Sequence, residues 1–532
     1  MNELLHGLWR NANARPDQHA CVQLDRNARV IRAIRFQELR DRVIQTSRHL
    51  STRTLAGERV LVLYENAFDF IPVFLGCMHS GCIPASMQIP NGPGKLTKLR
   101  EIITVEQVKQ ILVPESLMAK GWFRQLVSTD DTIRQCLLPL STDEHKADST
   151  DLPVPTPCEG SRIIYGQLSS GTTGRSKWIN ISSANIKANT DAIGVSIRQS
   201  PDWRHLSWLP HYHDLGLVAG LFLTLFHGNT TWLIDPLDFV GRPQVWLEAL
   251  SKYRIHFSHS PCFGLDLCTR RIDPGQLPGD TDLSELVSIM VCAEPIRQLS
   301  LERFIHRFGH LGIRETSFVP CFGMAECTLA ATMQAQQTPF RVFHHPQLDR
   351  NFVSCGTPVQ DMTVSIRPVD DLPQGVGEVI LHGTSVSPDH AGTGIHSGDI
   401  GFLHEGELYI TGRLKEVIIL NGVKHLLHEL EATVETLPFV HDRGSLACTR
   451  TEPEGESLVL MVELKRECAK AEATREYRTK ITRCLNQEHG VTPGEVLFFP
   501  PASLPKTSSG KKRRIPLDIL EKETQGKVIP YP

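Results

Sequence analysis

The sequence predicts an α/β protein, with a large N-terminal domain of layered, mostly parallel sheets and helices, followed by a small C-terminal α+β domain. Three observations predict it. Short apolar runs rich in strand formers recur from Glu58 to Cys321. Helical patterns fall between several of them, the connectivity that parallel strands require. From Glu407 the texture changes to short strands and then a polar helix near Arg475–His489, a stretch of about a hundred residues that suits a small domain.

Taken in order, Leu39, Val43, Ser47 and Leu50 recur at helical spacing and define an amphipathic helix. Glu58–Tyr64 is a short apolar run that reads as a strand. A helix from Ala67 to His79 stops at Gly81. Further strands are expected at Lys109–Val113, Thr230–Ile234, Ile255–Ser258, Val287–Cys292 and Ser317–Cys321. One helix opens at Arg242-Pro243, where proline suits the first turn, and another is expected to begin at Ser300 as its N-cap. Residues 140–158, polar and proline-containing, read as a surface linker inside the large domain.

Composition narrows the class. The 532 residues are 40% hydrophobic with 39 Gly and 34 Pro, which excludes fibrous and disordered chains. Basic and acidic residues nearly cancel, at 56 and 59, so no charge excess points to nucleic acid. The 14 cysteines include no CxxC pair, and a reducing, cytoplasmic setting is the simplest expectation. The N-terminus lacks a signal-peptide pattern, and the most apolar run, Val218–Phe226, is far short of a membrane span.

Five segments carry chemistry. Ser169-Ser170-Gly171-Thr172-Thr173-Gly174-Arg175-Ser176-Lys177 packs hydroxyls, glycines and a cation closely enough to cradle an anion, although its spacing is not that of a Walker loop. Read alone it is equally a polar surface turn. The second segment is Ser207-Trp208-Leu209-Pro210-His211-Tyr212-His213-Asp214-Leu215-Gly216-Leu217. Ala293-Glu294-Pro295 and Phe322-Gly323-Met324-Ala325-Glu326 each follow a predicted strand, where ligands of open α/β sheets collect. Ser397-Gly398-Asp399 precedes Gly412-Arg413-Leu414-Lys415-Glu416, and the chain closes with Leu504-Pro505-Lys506-Thr507-Ser508-Ser509-Gly510-Lys511. A basic run of that last kind is by itself a solvated face or a nucleic-acid patch.

Together these segments resemble the adenylate-forming ligase superfamily, and the second resembles its fatty acyl-AMP ligase branch. The likeness runs from about Leu4 to Leu520. It implies ATP and Mg²⁺ as cofactors. Ser170, Gly171, Thr172, Thr173 and Gly174 would hold the triphosphate with Lys177, and Glu326 would hold the metal. His213 would lie where the carboxylate meets ATP. Ala293, Glu294, Gly323 and Met324 would flank the adenine, with Phe322 stacked on it. Asp399, assisted by Arg413, would take the ribose hydroxyls. Lys511 would be the adenylation lysine. Lys415 would be a hinge between residues 1–413 and a mobile C-terminal domain of residues 416–532.

The implied reaction joins a fatty or related carboxylic acid to AMP with loss of pyrophosphate, then passes the acyl group to the phosphopantetheine thiol of an acyl carrier protein. Free CoA as acceptor is the alternative. Gly422–Glu431 follows the carrier-using pattern, especially at His425, and Leu215, Leu217, Val218, Phe222, Phe257, Phe263 and Leu265 are candidates for the acyl tunnel. The departures are Ser176, Trp178 and Cys292 in place of proline, glycine and glycine, and Lys512 at an apolar position. Only Pro388–Ile395 stands where relatives carry a longer stretch with an aromatic pair. These departures leave a non-catalytic adenylate-binding scaffold as the reading from another class.

Overall fold

A computed structural model describes residues 2–140, 159–170, 176–370, 372–420, 423–452, 455–506 and 512–530. The expected linker at 140–158 therefore falls almost wholly outside the described residues.

Two large sheets organise the N-terminal part. In the first, strands Leu137–Leu140, Gln110–Pro114, Arg59–Val62, Ile83–Ser86 and Ile163–Ser170 run parallel, and Ser176–Ser182 closes the edge antiparallel to Ile163–Ser170. In the second, Phe318–Phe322, Ser288–Val291, Phe257–His259, Arg204–Ser207, Thr230–Leu233 and His19–Leu24 form a parallel centre. Parallel strands need both faces covered, and the sequence supplies this with continuous apolar runs such as Ile289–Val291 in strand Ser288–Val291, all four of whose residues are buried. Helices Phe36–Ser51 and Ala67–Ser80 pack between the two sheets within one large core. The second helix ends where expected, on Gly81 at φ 89°, a left-handed cap that favours glycine.

Two expectations need correction. Ser300 is not an N-cap: the helix starts at Gln298, and Ser300 is a buried residue of its first turn. There Gln298 bonds to Glu302 one turn on. The change of texture at Glu407 also precedes the real change of sheet. Glu407–Arg413 pairs antiparallel with Ile395–His404 and is the edge of a four-stranded sheet whose other members are Met362–Pro368 and Gly377–Gly383. Short alternating strands look alike on either side of a boundary, and only the pairing separates them.

Beyond Arg413 a separate core forms, from Ile418 to Ile529. Its sheet of Val440–Glu452, Gly455–Leu464 and Glu495–Phe499 is covered by helices Leu427–Glu435 and Thr474–His489. This is the α+β arrangement expected. Lys512, which stands where an apolar residue was expected, reaches Glu431 at 2.6 Å and Glu435 at 2.7 Å. Arg514 adds a second bond to Glu431 at 2.7 Å and one to Glu416 at 3.0 Å. Burial by itself would raise the Glu431 carboxyl, but the two cations outweigh it and hold the group below the usual carboxylate range.

A carboxylate whose folded pKa is depressed stabilises the fold above its unfolded pKa and loses that contribution as pH falls through the folded value. Glu431→Gln should therefore destabilise the C-terminal core by about 3 kcal/mol at neutral pH, the cost of breaking a buried pair from one side. The gap from wild type should shrink below about pH 4. Native-state hydrogen exchange in the strand Gly455–Leu464, followed against pH, checks both statements.

Candidate active site

Several candidate residues follow the carboxyl ends of strands in the two large sheets, whereas Lys177 lies near the start of an edge strand and Asp399 and Arg413 lie in the four-stranded sheet. Strand Ile163–Ser170 ends on Ser170, which pairs with Ser176; Ser169 pairs with Lys177. Gly171, Thr172, Thr173 and Gly174 lie outside the described residues, as does Lys511. Lys177 projects to the surface, and its Nζ lies 3.2 Å from His390 Nε2.

The second segment leaves strand Arg204–Ser207 through a tight turn. His213 N donates to Pro210 O and its carbonyl accepts from Leu217 N at 2.8 Å, so His213 stands at the entry to a π-helix over Leu215–Phe222. Such wide turns within helices occur preferentially at functional sites. Gly216 is required here, since a Cβ would overlap the carbonyl oxygen of Pro210. Gln167, on the strand that ends at Ser170, donates to Tyr212 O at 3.1 Å and ties this turn to the first sheet. His213 is half-buried. Its neighbour His211 is fully buried 4.3 Å from Phe70, and burial followed by the nearness of His213 lowers its pKa to about 3. His211 is thus a neutral wall residue, and the surface-facing histidine of the pair is His213.

On the other side, strand Phe318–Phe322 ends in the half-buried Phe322, Gly323 and Met324. A Cβ on Gly323 would overlap Leu329 O, so the chain doubles back tightly and delivers Glu326 on a 3-10 turn. Ala293 has φ 73°, and Thr328, at φ 70° and ψ −60°, is the centre of a γ-turn closed by Leu329 N donating to Cys327 O; such positive-φ conformations cost non-glycine residues about 1 kcal/mol or more. Strain of this kind clusters at ligand-binding turns. Glu294 has a further role that the motif did not reveal. Its buried carboxylate accepts from Phe263 N at 2.6 Å and from Arg443, in the C-terminal part, at 2.6 Å. Burial opposes the charge, but Arg443 prevails and Glu294 is held below its ordinary value. Arg350–Glu429 at 2.8 Å and Arg270–Asp442 are further ion pairs between the two parts.

Asp399 and Arg413 are direct cross-strand partners, with Nε to Oδ1 at 2.9 Å. The pair raises the Arg413 pKa, chiefly through Asp399 and, more weakly, through Glu416 and Glu326. His390 in turn feels Lys177, Glu326 and Asp389. Lys177 with His390 and Asp399 with Arg413 are thus two contacting pairs, and the Glu326 carboxylate is near enough to influence both His390 and Arg413. Lys415 sits in a single 3-10 turn, Leu414–Glu416, between the four-stranded sheet and the C-terminal core. His425 lines a cleft of about 730 Å³ with Arg350, Glu429 and His489. The apolar tunnel candidates do not share one wall. Leu215, Leu217, Val218, Phe222 and Phe257 belong to one core, whereas Leu265 and Phe263 pack in another.

Comparison with known proteins agrees with this architecture. Residues 8–389 match the AMP-binding enzyme family. The chain belongs to that family. It is 28% identical to a putative fatty-acid–CoA ligase, fadD25, of Mycobacterium tuberculosis, over 90% of each chain. It is also 28% identical to the medium-chain-fatty-acid–[acyl-carrier-protein] ligase JamA of Moorena producens, over 92% of this chain and 90% of JamA. A structure from work on fatty acyl-adenylate ligases of E. coli and L. pneumophila superposes with a TM-score of 0.85 at 26% identity, over 99% of this chain and 98% of that one. The expected resemblance to the fatty acyl-AMP ligase branch and the expected fold class are both borne out. Among the described residues no helix is long and apolar enough to cross a membrane.

Arg443 and His390 are the site-flanking residues that sequence reasoning missed. Neither stands in a recognisable string, and each acts on a partner more than a hundred residues away. Arg443→Ala should leave the Glu294 carboxylate buried without its cation. Protease cleavage within residues 414–426 should then rise about 100-fold, corresponding to roughly 3 kcal/mol lost from the association of the two parts. Limited proteolysis with mass mapping reads this directly.

Proposed function

We propose that this protein activates a fatty acid with ATP, forming an acyl adenylate and pyrophosphate, and then transfers the acyl group to the phosphopantetheine thiol of an acyl carrier protein. The observation that carries the first step is the charged set Lys177, Glu326, Arg413 and Asp399, supplied by the edge strand of one large sheet, the turn after a strand of the other, and the four-stranded antiparallel sheet. Asp399 suits two ribose hydroxyls, and Lys177 suits phosphates.

Mg²⁺ fits the donor set. Among the described residues no cluster of three or more His, Cys, Asp or Glu could hold a metal. Mg²⁺ needs no such cage, because it is commonly held by one or two carboxylates together with substrate phosphates. Glu326 is the half-buried carboxylate in that position. When bound, the ion would neutralise charge on the departing pyrophosphate. The chain's own residues do the rest. Lys177 and the 170–174 loop hold the triphosphate, Asp399 with Arg413 fixes the ribose, and Phe322 packs against the base between the Ala293-Glu294 and Gly323-Met324 turns. His213 orients the incoming carboxylate, and Lys511 bridges carboxylate and α-phosphate in the adenylating state. Rotation about Lys415 then withdraws Lys511 and admits the thiol, with residues 1–413 and 416–532 moving as the two bodies.

A carrier as acceptor is supported by JamA and by TtuA of Teredinibacter turnerae, a medium-chain-fatty-acid–[acyl-carrier-protein] ligase 27% identical to this chain over 96% of its length. The fadD25 likeness favours free CoA as the second reading. Residues 422–431 offer a bound CoA diphosphate no arginine, only Lys424 and two histidines. Competition between holo-carrier and CoA at equal concentration, read by mass spectrometry, decides the acceptor. Acyl-carrier should form faster, and acyl-CoA forming as fast as acyl-carrier would hand the reaction to CoA.

Fatty acids should drive ATP–pyrophosphate exchange and amino acids should not. Lys511→Ala should slow adenylate formation by about 10²–10³ while sparing transfer from a preformed acyl adenylate. Asp399→Asn should weaken ATP by about tenfold, and 2′-deoxy-ATP by clearly less, because the lost contact includes the 2′-hydroxyl. Single-turnover assays of each half-reaction and calorimetric titration with the two nucleotides test these outcomes.

A further inference from the structure

One short segment beside the site has no role in the scheme above. Residues 384–390 run between the strand that carries Lys177 and the turn that carries Glu326, and they are held from several sides. Thr328 Oγ1 donates to Ser385 O at 2.9 Å, and Ser387 N donates to Glu326 O at 2.8 Å. Asn185 Nδ2, at the start of helix Ser183–Ser196, donates to Thr384 O at 2.7 Å and Val386 O at 2.9 Å. Ser387 Oγ donates to Asn180 O at 2.7 Å, and Asp389 accepts from Asn180 N at 3.0 Å and Nδ2 at 2.8 Å. Asn180 lies on the same strand as Lys177. The 3-10 turn Pro388–His390 is therefore clamped to that strand, and it ends by setting His390 Nε2 3.2 Å from Lys177 Nζ.

An ammonium group has donors only, so the nitrogen facing it must be an acceptor, which places the imidazole proton on Nδ1. Burial, then Lys177, lowers the His390 pKa, while Glu326 and Asp389 pull more weakly the other way. A lysine side chain loses rotamer freedom when its ammonium is fixed on a ligand. An acceptor already clamped in place removes part of that loss before the nucleotide arrives.

We propose that His390 is a positioning residue for Lys177: its Nε2 accepts one ammonium proton and leaves the other two aimed at the phosphates of a bound nucleotide, on the side where Glu326 lies. The inference rests on the adenylate-forming reading of this site. It also gives the short Pro388–Ile395 segment a function of its own, in place of the longer stretch that relatives carry.

The test is a four-member cycle of wild type, His390→Leu, Lys177→Met and the double variant, with His390→Gln as the conservative replacement. MgATP affinity is measured by calorimetry, and KM for ATP and kcat by pyrophosphate exchange. His390→Leu should weaken MgATP about 5–10-fold. KM for ATP should rise by the same factor, with kcat within about twofold of wild type. His390→Gln, whose Oε1 can accept from Lys177, should recover most of the loss. In the Lys177→Met background His390→Leu should add nothing. Losses that simply add in the double variant, or a His390→Gln variant as weak as His390→Leu, would overturn the assignment. Should His390→Leu fail to fold, His390→Asn, whose shorter amide falls short of Lys177, replaces it. Coupled MgATP binding without exchange on any carboxylic acid would refute the proposed reaction and leave the positioning role standing. A wild type that binds no MgATP refutes both.

Discussion

Two buried carboxylates in this protein, Glu294 and Glu431, are kept charged by cations brought from distant parts of the chain, and the geometry around them depends on that pairing. Glu294 is paired by Arg443, and Glu431 by Lys512 and Arg514. An ionised carboxylate taken out of water without a partner costs several kcal/mol, so each pair constrains where two remote segments can sit. The turn that carries Glu294 and the entry to the C-terminal core are both located this way.

The same constraint couples the C-terminal part to the turn that carries Glu294. Glu294 sits in a turn after strand Ser288–Val291, yet its cation comes from strand Val440–Glu452. Arg514 links the Leu414–Glu416 turn to helix Leu427–Glu435 through Glu416 and Glu431. Electrostatic ties of this kind hold one arrangement firmly but exchange partners without unpacking an apolar interface. They suit a protein whose proposed chemistry needs two arrangements in turn.

Backbone geometry complements the charges. The positive-φ Ala293 and Thr328 and the close approach at Gly323 lie within turns that follow strand ends, and the π-helix after His213 begins just beyond such a turn. A parallel sheet directs these turns to one edge, so close approaches and strained backbone accumulate in the same place.

Much of this was legible in the sequence. The helix at Phe36–Ser51 follows from amphipathic spacing, the stop of Ala67–Ser80 from Gly81, the helix Thr474–His489 from its polar texture, and the parallel strands from short apolar runs, all local signals that survive without a fold. The strings around Lys177, His213, Glu326 and Asp399 were visible because each packs its special residues within a few positions. What the sequence left undecided was every feature built from distant partners. The start of the helix at Gln298 was set by packing that buries Ser300, and the edge strand Glu407–Arg413 was assigned only by its pairing with Ile395–His404. Lys512, out of place in an apolar pattern, became intelligible once Glu431 and Glu435 stood beside it. Arg443 and His390 carried no local signal at all. The physical reason is one of range: backbone preference and amphipathic spacing are written within a dozen residues, whereas the pairing of buried charge is decided by which segments the tertiary fold brings within 3 Å or so of each other.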